Sequence, residues 1–320
     1  MLEFLVTIIA VAIPTYIYLR AIAGIDRYEK EPTRYLVIAF LWGAVPAIAL
    51  GIIIELILGK PVALLLGRNS LSTQLIDTAV IPPIVEEVLK AAVVAGIFLW
   101  RRKEFDGWVD GIVYGATAGF GFAFVENVFY IIGTKSVGEW LSLYFLRVVV
   151  FGLMHGFWTS LTGIGLGVAR YSTDRAFRTR VILLGLGAAI FSHMVHNAAL
   201  VYSGRSDGST VLVALINYLV LVVLLVCLRV VAARKDRAML QTYLRDEVPD
   251  CISPEAYADL CSTKSHALAN LKLAPKLQRN FIQTAAELAQ KKREFIRMGN
   301  EDGNAAEIDK LRNQLAAFAR

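Results

Sequence analysis

Residues 76–100 read IDTAVIPPIVEEVLKAAVVAGIFLW, an apolar run with two glutamates and a lysine near its middle. A helix needs about 20 mostly apolar residues to cross the hydrocarbon core of a bilayer. Inside lipid, every backbone polar group must be satisfied within the segment, which favours a helix. The stretch therefore predicts a membrane-spanning helix that carries charged side chains at the depth where a charge costs most.

Working outward, six further runs are long and apolar enough to cross a bilayer, at 2–19, 35–58, 108–132, 143–169, 181–202 and 210–228. Over its 320 residues the chain is 56% hydrophobic and 19% charged. This composition excludes an intrinsically disordered protein and disfavours a conventional soluble enzyme. The three cysteines form no CxxC pair. We predict an all-α polytopic membrane bundle of about seven spans.

The basic residues of the loops predict the orientation of the bundle. Fifteen Lys and Arg residues lie on one side and four on the other, and cytoplasmic loops are the positively charged ones. The N-terminus is therefore expected outside and the C-terminus in the cytoplasm. The richer set is Arg20, Arg27, Lys30, Arg34, Arg101, Arg102, Lys103, Arg170, Arg175, Arg178, Arg180, Arg229, Arg234, Lys235 and Arg237, and the poorer set is Lys60, Arg68, Lys135 and Arg205.

This distribution also bears on partners and location. The net charge of +6 comes from clusters between apolar runs, which is a membrane-topology pattern rather than a nucleic-acid footprint. The expected partner is the lipid bilayer, with no nucleic acid, and the expected location is the cell membrane as a multi-pass protein.

Charge density predicts two domains, a membrane domain at 1–229 and a charged helical tail at 230–320 on the cytoplasmic side. Helical apolar spacing runs over about 276–298 and 304–319, and Pro249, Pro254 and Pro275 punctuate the tail. We expect an amphipathic helical hairpin that packs on itself or on the membrane surface. Nothing in the tail looks catalytic.

Several ionisable side chains lie inside predicted spans, where such groups are functional candidates. A helix rises 1.5 Å per residue, which gives the depth of each side chain in its span. Glu86 lies about 15 Å from an end of its span, and His155 and His193 lie about 18 Å from an end of theirs. Glu126 lies about 9 Å from the outer end of its span. The first three thus share one depth, which predicts a single site, with Glu126 somewhat higher. The full set is Glu86, Glu87, Lys90, Glu126, His155, His193, His196 and Asn197. Glu55, Asp77, Asp110 and Arg147 lie near span ends, where they can reach an interface.

The spacing around the acidic pair suits hydrolysis. Pro82 and Pro83 free backbone groups just before it, and Glu86 to Lys90 is the favourable i,i+4 orientation. Lys90 can keep one carboxylate ionised, while the other is crowded by a like charge and poorly hydrated. A carboxylate tuned in this way can act as base toward water and then as acid toward a leaving amine. The alternative is that Lys90 only neutralises a structural pair.

The later spans supply packing and further polar groups. Gly111, Gly115 and Gly119 form a small-residue ridge for close helix packing. His193 and Asn197 lie one turn apart and can donate to an oxyanion, whereas two histidines and a glutamate could instead ligate zinc. For His196 we expect an interhelical hydrogen bond.

Four motifs follow one another along the chain, and the loop at 26–32 precedes them. They are Glu86-Glu87-x2-Lys90, Phe122-x3-Glu126-Asn127, His155 with Trp158-Thr159, and His193-x3-Asn197. Together these motifs resemble the PrsW family of intramembrane proteases, which is related to the CAAX prenyl proteases and the bacteriocin-processing membrane proteases. The resemblance covers about residues 10–205, and the combination in this order is specific although each motif alone is weak.

The resemblance implies a peptidase that cleaves membrane-associated proteins, such as an anti-sigma factor. It implies Glu86, alone or with Glu87, as the base, His155 as its partner, and His193 with Asn197 at the oxyanion. Lys90, Phe122, Asn127 and His196 are the supporting residues. Glu126 stands where the CAAX relatives have histidine, so its role is open, and Lys90 lies one residue earlier than their arginine.

Metal use and two other functions stay open at this point. A zinc ion would be held by His155, His193 and either Glu86 or Glu126, and a metal-independent mechanism is an equal alternative. Buried Glu and His residues also build proton relays, so a proton- or ion-coupled transporter is the runner-up, although the two halves of the chain show no matching broken helices. A non-catalytic membrane scaffold is the third hypothesis.

Overall fold

The structure, a computed structural model, describes residues 2–25, 30–67, 70–204, 208–262, 274–300 and 303–318. Within these ranges every regular element is a helix, which confirms the predicted all-α class. Residues 26–29 of the loop that contributed to the resemblance lie outside the described residues. The chain divides into two compact units, residues 1–26 with 31–225 and residues 27–30 with 226–320.

The helices of the first unit are interrupted by three π-helical segments. They are α1 Leu2–Ala23, α2 Thr33–Trp42, π1 Gly43–Ala47, α3 Ile48–Leu66, α4 Leu71–Leu75, π2 Ile76–Val80, α5 Ile81–Trp100, α6 Trp108–Ile132, α7 Val137–Tyr144, π3 Phe145–Val150, α8 Met154–Ala169 and α9 Arg175–Ser203. Helix α10, Val211–Tyr243, begins in the first unit and ends in the second, which continues with α11 Pro254–Leu260, α12 Pro275–Met298 and α13 Asn304–Phe318.

Six helical stretches within the described residues are long and apolar enough to cross a membrane, and they coincide with six of the seven predicted spans. They are Leu2–Ala23, Thr33–Leu66, Trp108–Ile132, Val137–Ala169, Arg175–Ser203 and Val211–Tyr243. The other predicted span contains α5, whose 20 residues would extend about 30 Å. Helix α5 differs from the six in that it carries three charged side chains, Glu86, Glu87 and Lys90. The count of seven and the orientation stay predictions.

Helix α6 forms the centre of the first unit because glycine lets its neighbours approach closely. A Cβ atom added to Gly111 would overlap the carbonyl oxygen of Gly163 on α8, and one added to Gly119 would overlap that of His155. The ridge predicted from the glycine spacing therefore packs against α8. This close contact brings the start of α8, which carries His155, against the part of α6 that carries Phe122 and Glu126.

The π-helical segments lie beside the residues of interest. Segment π2 leads directly into Pro82 and Pro83 at the start of α5, and π3 is followed by irregular residues 151–153 before α8 begins at Met154. A π-helical turn changes the direction of the side chains that follow it and is common at functional sites. The 143–169 run is therefore not one straight helix, which the expected depth of His155 in its span had assumed.

The second unit has its own core. Helices α12 and α13 occupy nearly the ranges predicted from periodicity, and they pack through Phe281, Leu288 and Leu311 onto Leu240 at the end of α10. Glu247 is buried and accepts hydrogen bonds from Lys292 and Arg312. Burial by itself would raise the pKa of Glu247, but the hydrogen bonds from Arg312 and Lys292 outweigh burial and hold this pKa below its usual range.

Candidate active site

Three of the predicted residues meet although they come from three helices. Glu86 of α5, His155 of α8 and His193 of α9 each offer one donor atom within 4.8 Å of the others. Their convergence was expected from their common depth, and each lies in a helix whose packing holds it in place.

Lys90 lies at the centre of this group and is fully buried. Its Nζ atom lies 2.6 Å from Glu87 Oε1 and 3.4 Å from Glu86 Oε2. It also lies 3.1 Å from His155 Nδ1 and 4.4 Å from the centre of the Phe122 ring. A buried ammonium needs such partners to offset the loss of water. One cation is therefore shared between two carboxylates.

The two adjacent glutamates have different surroundings. Glu87 is 0% exposed and has three partners: Lys90, the Thr159 hydroxyl, which donates at 2.9 Å, and His193 Nδ1 at 3.2 Å. Among the described residues, Glu86 has two longer contacts, with Lys90 Nζ at 3.4 Å and His155 Nδ1 at 3.8 Å, and it lines a cavity. Glu86 is thus the glutamate with acceptor capacity directed toward open space.

His155 is held by a chain of ionic contacts that the sequence reading did not include. Its Nε2 lies 2.9 Å from Glu126 Oε2, which lies 2.8 Å from Arg147 Nη2, and Arg147 Nε donates to Asn127 Oδ1 at 3.0 Å. Because Lys90 only donates and an ionised Glu126 only accepts, the contacts assign the proton of a neutral His155 to Nε2. The hydrogen bond with Lys90 therefore sets the tautomer of this imidazole, and the ionic contact with Glu126, which Arg147 also contacts, holds its orientation.

His193 and Asn197 occupy the other side of the group. The His193 ring stacks on Trp158 with 3.8 Å between ring centres, and its Nδ1 faces Glu87. With the Nδ1 proton directed at Glu87, Nε2 is left as an acceptor. Asn197 Nδ2 donates to the Thr78 carbonyl of π2 at 3.0 Å and has a second N–H, and its side chain lines the cavity.

The prediction for His196 is wrong. Its Nδ1 is buried and has no hydrogen-bond partner within the described part of the chain. Instead its ring packs edge-on against Phe151 at 4.8 Å and lies 5.5 Å from Trp158. Phe151 belongs to the irregular residues before α8, so this aromatic contact comes from a break in the helix that the sequence spacing did not predict.

A cavity of about 280 Å³ adjoins the group and is lined by residues of α3, π2, α5, α6 and α9. Glu86, Phe122, Glu126 and Asn197 form part of its wall, together with Glu55 and Asp77. A buried cavity with converging polar groups is the usual form of a small binding or active site. His155 and His193 stand behind this wall, within reach of Glu86.

The sequence reading missed Glu55, Asp77 and Arg147 because it placed them near span ends. The helix that carries Glu55 runs on to Leu66 instead of ending near 58, and the helix before Asp77 begins at Leu71. The position of Glu55 well inside a long apolar helix could have marked it as a candidate site residue. For Arg147 no such signal existed, because its contact with Glu126 depends on the π-helical turn.

Glu86, His155 and His193 fit a zinc ion by the chemistry of their donors. Two histidines and a glutamate are a common catalytic zinc set, and a metal-bound histidine usually directs its other nitrogen at a carboxylate, as His193 does toward Glu87. Lys90 is hydrogen bonded to both Glu86 and His155. A metal ion and this ammonium would therefore compete for the same donor atoms.

The fold and site together define a polytopic membrane hydrolase, a helical bundle with carboxylates and imidazoles around an intramembrane cavity. A family model described as "PrsW family intramembrane metalloprotease" matches residues 31–228, and the chain belongs to this family. It is a membrane protease and a multi-pass protein of the cell membrane.

Three proteins named "Protease PrsW" illustrate the relationship. The chain is 30% identical to that of Bacillus subtilis strain 168 over 176 residues, which cover 55% of this chain and 72% of the relative. It is 26% identical to that of Clostridioides difficile strain 630, over 60% of this chain and 78% of the relative. It is 25% identical to that of Geobacillus kaustophilus strain HTA426, over 52% of this chain and 65% of the relative. No solved structure matches the chain.

Proposed function

We propose that this protease cleaves membrane-anchored proteins within or next to the bilayer, with Glu86 as the base that activates water. The observation that supports this most directly is that Glu86 lines the cavity with unused acceptor capacity, while Glu87 is fully buried and has three partners. Glu87 then acts as a positioning residue for Lys90 and His193.

The reaction follows from this placement. Glu86 accepts a proton from a water molecule as that water attacks the scissile carbonyl carbon, and the same carboxyl group then donates the proton to the leaving amine. Lys90 stabilises the ionised form of Glu86 before attack. His155, held by Glu126, borders Glu86 and restricts where the water can sit.

The oxyanion position is assigned to Asn197 rather than to a pair. Asn197 lines the cavity, and its amide has a second N–H beside the one that bonds Thr78, which can donate to the developing negative charge. A neutral His193 with its proton on Nδ1 has none to give from Nε2. The oxyanion role that the resemblance implies for His193 would therefore need an imidazolium or the other tautomer.

Zinc use changes the role of Glu86 and not the location of the site. A bound zinc ion would supply Lewis-acid polarisation and lower the pKa of a coordinated water. Glu86, His155 and His193 would hold the ion, so Glu86 would then be a ligand instead of the free base. The substrate class that fits the family resemblance is a membrane-anchored regulator of the anti-sigma-factor kind.

The test is cleavage of a membrane-anchored reporter by the purified protein in proteoliposomes. Glu86→Gln should lower kcat by about 10²- to 10⁴-fold, the range typical of a lost general base, with unchanged thermal unfolding. Glu3→Gln, which removes one exposed acidic charge from α1, is the matched control. Normal cleavage by the Glu86 variant would contradict the proposal.

The same preparation decides the metal question. Activity that survives chelation, with no bound zinc in the purified protein, would support Glu86 as the free base. Stoichiometric zinc that is lost in His193→Ala would support ligation.

A further inference from the structure

The active-site cavity continues into a second and larger one. A cavity of about 750 Å³ lies between α3 and the α4–π2 segment, and it shares Ile52, Glu55 and Asp77 with the cavity of about 280 Å³ that Glu86 lines. The two form one groove, which runs from Glu86 past Glu55 and Asp77 toward the ends of α3 and α4. We call it the α3–π2 groove.

The carboxyl groups at the junction of the two cavities have no cationic partner within the described ranges. Among the described residues neither Glu55 nor Asp77 forms an ion pair, and Asp77 Oδ1 is buried without a hydrogen-bond partner. Lys60 also lines the groove, but it forms no ion pair with either carboxylate. A buried acceptor without a partner is costly, and a ligand with a donor would remove that cost.

The rest of the groove suits an apolar chain. Leu56 and Leu64 line it and are 61% and 82% exposed on the protein surface. In a bilayer such a rim faces lipid, so a segment from a neighbouring membrane protein can enter from the side. The groove thus combines apolar walls with two unpaired carboxylates and leads to the proposed base.

We propose that the α3–π2 groove binds the substrate segment next to the scissile bond and that Glu55 and Asp77 select a Lys or Arg side chain in that segment. This inference rests on the proposed function, since it takes Glu86 as the position of the cleaved bond. It defines the substrate class as membrane-anchored proteins with a basic residue close to the cleavage site.

The distance between the groups sets where that basic residue falls. Asp77 lies in π2 and precedes Glu86 of α5 by nine positions, which corresponds to at most about 13.5 Å at the α-helical rise of 1.5 Å per residue. An extended peptide covers about 3.3 Å per residue, so about four residues span this distance. Glu55 and Asp77 both line the active-site cavity, so the selected residue is expected within about four positions of the cut.

The test measures binding separately from cleavage. The full chain carrying Glu86→Gln is placed in proteoliposomes with a single-span leucine–alanine peptide that has a glycine–serine flank. One Arg, Met or Glu is placed in turn at each of the four positions on either side of the membrane boundary. At one or more positions the Arg peptide should bind about tenfold more tightly than the Glu peptide, as expected for charge selection in a poorly hydrated groove.

Further variants test whether Glu55 and Asp77 cause the preference for the Arg peptide. Adding Glu55→Gln and Asp77→Asn should remove the Arg preference, because both substitutions keep the shape and delete the charge. Adding Glu3→Gln instead should preserve the preference. Equal binding of the Arg and Glu peptides, or a preference that survives the loss of both groove carboxylates, would overturn the inference, as would binding of no peptide.

Failure of the proposed function would look different. If the wild-type chain cleaves reporters but the groove variants leave the Arg preference unchanged, the groove assignment is wrong and the peptidase stands. If the Arg preference depends on Glu55 and Asp77 but Glu86→Gln does not impair cleavage, the groove is a binding site and Glu86 is not the base.

Discussion

Two clusters of buried charge, one in each unit, show what distinguishes a reactive site from structural support. The Glu247 cluster places one carboxylate, 4% exposed, against two cations, with Lys292 at 2.6 Å and Arg312 at 2.9 Å. The Lys90 cluster places one cation between two carboxylates, with contacts of 2.6 and 3.4 Å. Both satisfy the rule that buried charges are paired, so burial alone does not mark a site.

The difference lies in the balance of charge and in access. Both carboxylate oxygens of Glu247 accept hydrogen bonds from Arg312, and one of them accepts a further hydrogen bond from Lys292. The hydrogen-bond acceptors of Glu247 are therefore all used within the core. In the Lys90 cluster the ammonium group lies closer to Glu87 than to Glu86, and Glu86 faces a cavity. A carboxylate with an incomplete set of partners and a path to substrate can take part in chemistry, whereas a saturated one stabilises the fold.

The largest expected effect comes from Lys90→Met. It leaves Glu86 and Glu87 buried without their cation, and breaking a buried pair in this way costs about 3–5 kcal/mol. We expect a marked fall in thermal stability in detergent together with loss of cleavage. Adding Glu87→Gln should recover much of the stability and none of the activity. A stable and active single variant would show that the cluster is not coupled as described.

The second expected effect concerns Glu247→Gln, which leaves Lys292 and Arg312 without their common partner. Hydrogen exchange of α12 and α13 should report a loss of about 3 kcal/mol, while cleavage per folded molecule stays at the wild-type level. Loss of catalysis without loss of exchange protection would reverse the roles that we assign to the two clusters.

The pH dependence of the stability of the second unit gives a further test of the role of Glu247. The pKa of Glu247 is lower in the folded chain than its ordinary value. Its contribution to stability is therefore present above the unfolded pKa of about 4.3 and is lost as the pH falls through the lower folded pKa. The protection factors of the α12 amides, which compare the observed with the intrinsic exchange rate at each pH, should fall over this acidic range in the wild type, and the fall should be smaller in Glu247→Gln.

The smallest expected effect comes from Arg147→Met, which tests whether the Glu126–His155 contact belongs to the reactive cluster. Losing the cation frees Glu126 and loosens His155, and lost support of this kind typically costs about 10–100-fold in activity. The loss should appear in kcat with little change in KM, and Arg147→Lys should recover part of it. Arg180→Met, which removes an exposed cation from α9, is the control. A change in KM alone would place Arg147 in substrate binding instead.

The parts of the site that could be predicted were those that depend on local sequence. The cost of charge in lipid identified Glu86, Glu87, Lys90 and Glu126, and helical spacing placed Asn197 near His193. Arg147 was missed because it lies in a π-helical turn and contacts Glu126 from there. The hydrogen bond expected of His196 was wrong: its Nδ1 has no partner among the described residues, and its ring packs against Phe151. Both depend on where regular helix is interrupted, which spacing does not reveal.

The sequence by itself determined the helical class and most of the apolar spans, because a bilayer leaves the backbone no partner outside its own segment and so ties structure to local hydropathy. It also determined which side chains would be costly to bury. Only the tertiary structure decided which of the two adjacent glutamates lines the cavity and that Glu55 and Asp77 border the same groove. Those relations are set by contacts among α3, π2, α5, α6 and α9, and residues far apart in the chain carry no local signal of how closely their helices will pack.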